Sequence, residues 1–215
     1  MEDKIDSTSE EFLQKQQQIY RSAYITLGLL AVNIIVFIVS GLIPDLYYHG
    51  AMYTEGVIMN GEFYRILTAT FLHANIGHLF NNMIMLGLAG AIVENYMGHG
   101  LYFIMYILAG VFGNLLSMAY EIHNDVQWIT VGASGSVMGV VGFISVWIVI
   151  NRKALATDRF MLIRLIFLLV FVIDACFFQS GANTVAHLGG FLTGFVFGVL
   201  NIVLFKNRKN MEGIA

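Results

Sequence analysis

Apolar residues fall into six long runs with short polar breaks between them. The runs lie at about 23–43, 76–95, 101–120, 132–150, 160–178 and 185–205. Each holds about 20 residues, the length an α-helix needs to cross a hydrocarbon core of about 30 Å. The second run is the least apolar, because it carries His78, Asn82 and Glu94. The segment 44–75 is too broken to span; Tyr47, Tyr48, Tyr53, Phe63 and Tyr64 spread through it suit a structure lying at headgroup level. The pattern predicts an all-α polytopic membrane protein. Six transmembrane helices form its bundle, with an interfacial loop between helices 1 and 2.

Composition strengthens this picture. Of 215 residues, 58% are hydrophobic and 12% charged, whereas soluble domains sit near about 45–50% and about 25%. The single Cys176 rules out an internal disulfide. Residues 1–22 are polar and lack the basic start and short apolar core of a signal peptide. They are expected to be a short cytoplasmic tail, followed by a membrane domain over 23–205 and a short basic tail over 206–215. The net charge of −3 matters less than where charge sits. With the N-terminus inside, cytoplasmic segments hold Lys4, Lys15, Arg21, Arg152, Lys153, Arg159, Lys206, Arg208 and Lys209, and the outer side holds only Arg65. That bias predicts both termini inside. A bare six-helix chain of this orientation suits a bacterial plasma membrane. No internal repeat suggests a transporter built from inverted halves.

Polar side chains inside spans are costly and usually face the bundle interior. In the predicted orientation the second, fourth and sixth helices all enter from outside. His78 and Asn82, four apart on one face, then share a depth with Ser134 and His187, each about one turn in. A serine hydroxyl is a weak nucleophile until a base takes its proton, and His187 is placed to do so. Asn82, His78 and the free N–H groups opening the fourth helix are candidate oxyanion donors. Asp174 lies in the outer half of the fifth helix, but no spacing ties it to His187, so a Ser–His dyad is expected. Gly135, Gly139 and Gly142 share one helix face, and Gly190 and Gly194 lie on the face of His187; small residues there let helices approach closely.

Taken singly, each of these residues has a plainer role. A lone membrane serine usually packs or bonds its own helix. Glu94, a bilayer's width from the cluster, is expected to be structural. His49, His99 and His123 are expected in loops without special roles. His73 and His78, about 140° apart around a helix, make a poor zinc pair with His187. The shared depth, rather than any one residue, points to chemistry.

Four motifs occur in order: HLFNN at 78–82 with His73 five residues earlier, GAIVENYMG at 90–98, GASG at 132–135 and AHLGGFLTG at 186–194. Together they resemble the rhomboid family of intramembrane serine proteases, over nearly the whole of 23–205. The resemblance implies Ser134 as nucleophile and His187 as base, with His78 and Asn82 binding the oxyanion. No cofactor and no metal are expected. Partners would be transmembrane protein substrates within the lipid bilayer, cut near the outer end of a single span, and no nucleic acid. It also implies an aromatic–arginine pair in the first loop, here Tyr64–Arg65, where tryptophan is commoner. Met138 stands where an aromatic often packs on the histidine, and Ser136 where alanine is frequent. An inactive rhomboid-like binder and a small transporter are the competing functions; intact Ser134 and His187 argue against the first. The lack of a polar trail to the cytoplasmic side argues against the second.

Overall fold

The structure is a computed structural model that describes residues 13–14, 16–155, 166, 170 and 181–207. Helix α1 (Tyr24–Leu42) leads to three short helices, α2 (Pro44–Gly50), α3 (Thr54–Met59) and α4 (Arg65–Thr68), and a 3-10 turn at Ala69–Phe71. Helix α5 (Ile76–Met85) runs through a π-helical turn at Leu86–Gly90 into α6 (Ala91–Met97). Helices α7 (His99–Asn124), α8 (Ser134–Leu155) and α9 (Thr184–Gly198) follow, the last extended by a π-helical stretch at Val199–Leu204. Among the described residues five helices are long and apolar enough to cross a membrane: 24–42, 76–97, 99–124, 134–152 and 184–204. The chain is an integral membrane protein. Of the expected fifth span at 160–178 only residues 166 and 170 are described; Asp174 and Cys176 lie outside the described residues.

Both ends of the third span differ from expectation. It begins at His99 and ends at Asn124 rather than covering 101–120, so His99 and His123 are helical rather than in loops. Gly98, at φ +87, makes the sharp turn that opens that helix, a conformation that costs glycine little.

Glu94 holds the first span in place. Helix α1 has no side-chain cap from its own N-terminal residue. The Glu94 carboxylate, fully buried, accepts from Ile25 N (2.9 Å), Thr26 N (2.7 Å) and Thr26 Oγ1 (2.6 Å). His99 Nδ1 lies 2.6 Å from its Oε1. An anion on free helix N–H groups is favourable twice over, through hydrogen bonds and the helix dipole. Glu94→Gln turns an amide NH2 toward these donors. It is expected to destabilise the fold by about 3 kcal/mol, read as a lowered Tm in detergent; a wild-type Tm would show that the carboxylate is dispensable.

Helix α8 is central: most of its membrane-crossing residues are buried, whereas most of those of α1 are not. Glycines set its contacts. A Cβ on Gly190 would overlap the Gly135 carbonyl, one on Gly194 the Gly139 carbonyl, and one on Gly142 the Phe191 carbonyl. Helix α7 joins the same seam, since a Cβ on Gly113 would stand 2.6 Å from the Ala186 carbonyl oxygen. Lipid gives no hydrophobic force between helices, so close backbone packing supplies the attraction instead.

The short helices of 44–68 are pinned by Arg65, only 3% exposed. Its Nε donates to Glu62 Oε2 (2.6 Å), and Nη1 to the carbonyls of Tyr48 and Ala51 (2.7 Å each). Its guanidinium lies over the rings of Tyr53 and Tyr64, so the Tyr64–Arg65 pair is a stacked one. The Arg65 hydrogen bond holds the Glu62 carboxyl below its ordinary range. Met52 and Thr130 form an antiparallel bridge (N···O 3.1 and 2.8 Å), and Gly132 N donates to Ala69 O (2.9 Å). Asn114 Nδ2 reaches Ile66 O at 2.8 Å. The segment before α8 is thus tied to the loop after α1.

Candidate active site

Three helix starts converge at one end of the bundle. Asn75 caps α5, its Oδ1 accepting from His78 N at 2.9 Å. That fixes the first turn, and Asn82 follows His78 one turn later on the same face. Ser134 is the first residue of α8. Asn183 caps α9, its Oδ1 accepting from Ala186 N at 3.0 Å, and His187 follows in the first turn. Each cap satisfies an N–H that the helix itself leaves free.

These starts surround a cavity of about 580 Å³. Ser134, His187, His78 and Asn82 all line it, with Met138 and Asn183 beside them. The four residues singled out from sequence are therefore brought together. Gly132 shows how closely they meet. It sits at φ +130, and a Cβ there would stand 2.6 Å from His78 Cε1, 2.8 Å from His78 Nε2 and 3.6 Å from Ser134 Oγ. Glycine is needed there for both its backbone angle and its missing side chain.

Two of the lining residues carry a buried polar atom with no partner among the described residues. Asn82 is 6% exposed, and its Nδ2 is buried without a partner among the described residues. A buried donor left unpaired costs about 1–3 kcal/mol, which a ligand acceptor in the cavity would offset. His187 is 5% exposed, and its Nδ1 likewise has no partner among the described residues. No carboxylate among them holds that ring in the way a triad does. The N-termini of α8 and α9 both open at the cavity, adding partial positive charge where an anion would form.

Other candidates fall outside it. His73 is buried and stands edge-to-face on His78, ring centroids 5.1 Å apart. Ser136 is 1% exposed and packs on Gly110. Glu94 caps the first span at the far end.

Beside the cavity lies a polar cluster that sequence reasoning missed. Asn183 Nδ2 donates to Ser117 Oγ (2.7 Å) and Thr130 Oγ1 (2.9 Å). Ser117 Oγ also accepts from Trp128 Nε1 (3.1 Å) and donates to Glu121 Oε1 (3.2 Å). Glu121 Oε2 accepts from Thr54 Oγ1 at 2.8 Å. An Asn just before an apolar helix is a recognisable cap signal; its partners, 53 and 66 positions away, leave no local trace.

Comparison with known proteins bears on the same stretch. Similar proteins include RHOMBOID-like protein 1 of Arabidopsis thaliana, 30% identical over 77% of this chain and 43% of its own length. The putative rhomboid protease YdcA of Bacillus subtilis is 29% identical over 71% of this chain and 73% of its own length. Rhomboid protease GluP of the same bacterium is 30% identical over 66% of this chain but only 26% of its own length. The chain therefore spans less than half the length of two of these three relatives. The Rhomboid domain model matches residues 60–203, about two thirds of the chain and every helix start around the cavity, and on that match the chain belongs to the rhomboid family.

Proposed function

We propose that this protein is an intramembrane serine endopeptidase working through a Ser134–His187 dyad. Its membrane domain would cover 23–205, flanked by the tails 1–22 and 206–215. The charge bias of the loops supports a cytoplasmic placement of both termini. The cavity would then face the outer leaflet of a bacterial plasma membrane. Support for the activity comes first from one observation: Ser134, His187 and Asn82, the last with a buried amide donor unpartnered among the described residues, come from three separate helices to line one cavity. Relatives named as rhomboid proteases support it independently.

In this mechanism Ser134 Oγ attacks the scissile carbonyl carbon while His187 takes the hydroxyl proton. Negative charge moves to the carbonyl oxygen, where Asn82 Nδ2, His78 and the first N–H groups of α8 receive it. His187 passes the proton to the departing amine as the C–N bond breaks. Water then attacks the acyl-enzyme, giving a proton to His187, which passes it to Ser134 Oγ as the acyl–oxygen bond breaks and the serine is regenerated. The substrate would be a single-span membrane protein whose backbone is locally unwound, since a helix hides its carbonyls in hydrogen bonds.

The test is chemical. A fluorophosphonate probe is expected to label wild-type protein at Ser134, and a panel of single-span substrates in liposomes to be cut near one membrane surface, with the site mapped by mass spectrometry. A folded wild type that captures such proteins without labelling or cutting them would instead be a binder.

A further inference from the structure

Resting on the protease reading, we propose that Asn183 is a positioning residue, whose side chain sets the spacing between the helix carrying His187 and the segment carrying Ser134. The nucleophile and the base arrive on different helices, joined by no bond of their own backbone. Asn183 links the two. Its Oδ1 caps α9 through Ala186 N, one residue before His187. Its Nδ2 donates to Thr130 Oγ1, four residues before Ser134, and to Ser117 Oγ on α7. A carboxamide has both an acceptor and two donors in one plane, so it can make all three contacts at once.

The anchor it uses is fixed. Ser117 Oγ has one proton and two lone pairs, and all three are engaged: it donates to Glu121 and accepts from Trp128 and Asn183. Ser117 and Glu121 are 0% and 1% exposed. Thr130, 6% exposed, is held independently by its backbone bridge to Met52. Each end of the link is therefore rigid, and Asn183 transmits that rigidity to the start of α9. Displacing a reacting group by about 1 Å can cost about 100-fold in rate.

Asn183→Ser keeps a good helix cap but is too short to reach Ser117 or Thr130. Thr130→Val removes one acceptor at nearly constant shape and leaves the cap untouched. Both variants are expected to lower kcat for a single-span substrate, and the rate of fluorophosphonate labelling per folded molecule, about tenfold or more, with KM within about twofold of wild type. The double variant is expected to be no slower than the slower single one, since both act through the same link. A lowered Tm with wild-type kcat in the folded fraction would make Asn183 a structural cap only and overturn the proposal. Rate losses that multiply independently would overturn it as well. A wild-type protein that neither labels nor cuts would remove the protease reading itself, a result visible in the control before any variant is compared.

Discussion

Ser134→Ala is expected to reduce cleavage of every substrate to background, a loss of roughly 10⁴-fold or more, while the protein stays folded. The size follows from the role: the proposed reaction forms its covalent bond at Oγ, and among the described residues no other hydroxyl lining the cavity opens a helix beside His78. Folding should survive because Ser134 Oγ makes no cross-helix hydrogen bond among the described residues, and alanine suits a helix start facing a cavity. The measurements are turnover in liposomes, probe labelling and Tm, taken on one preparation. Cleavage retained at more than a few per cent of wild type would show that the hydroxyl is not the nucleophile. His187→Ala is expected to match it in turnover, because a base and its nucleophile act as a unit.

Gly194→Ala is expected to have the largest effect on the fold. A methyl at that position overlaps the Gly139 carbonyl. The obstacle is helix backbone, which cannot rotate away as a side chain can. Accommodating it means pushing α8 and α9 apart along the seam that also joins Gly135 to Gly190. The cost is expected at or above the roughly 3 kcal/mol upper end of ordinary overpacking, with His187 drawn away from Ser134 as a consequence. Gly28→Ala is the control: it lies in α1 with nothing within 4 Å of an added Cβ, and alanine is the better helix former there. Thermal unfolding in detergent compares the two. Equal Tm values would mean that the seam is looser than its geometry implies.

The spans are legible in sequence because each hydrocarbon crossing requires a run of about 20 apolar residues, whatever its tertiary partners. The start of α8 at Ser134 lies within two residues of the expected 132. The end of α7 is hidden for a physical reason. Hydropathy falls away at Glu121, yet that carboxylate is buried by bonds to Ser117 and Thr54, and the helix continues to Asn124. The short helices of 44–68 are equally hidden, being four to seven residues long with no periodicity to read. Ser134, His187, His78 and Asn82 are legible together because alternating helix directions bring every second helix start to the same end. Asn183 is not, since its importance lies in side chains drawn from α7 and the segment before α8.

The paired bonds between Met52 and Thr130, and from Gly132 to Ala69, have a consequence for exchanging parts between relatives. Residues 44–75 resemble a detachable surface insert, but they share a two-stranded stitch with 130–132. A chimera that imports only the first segment would leave the second without its register, and with it the entry to α8. The two stretches form a single cassette, inherited or transplanted as one despite the two spans that lie between them in the chain.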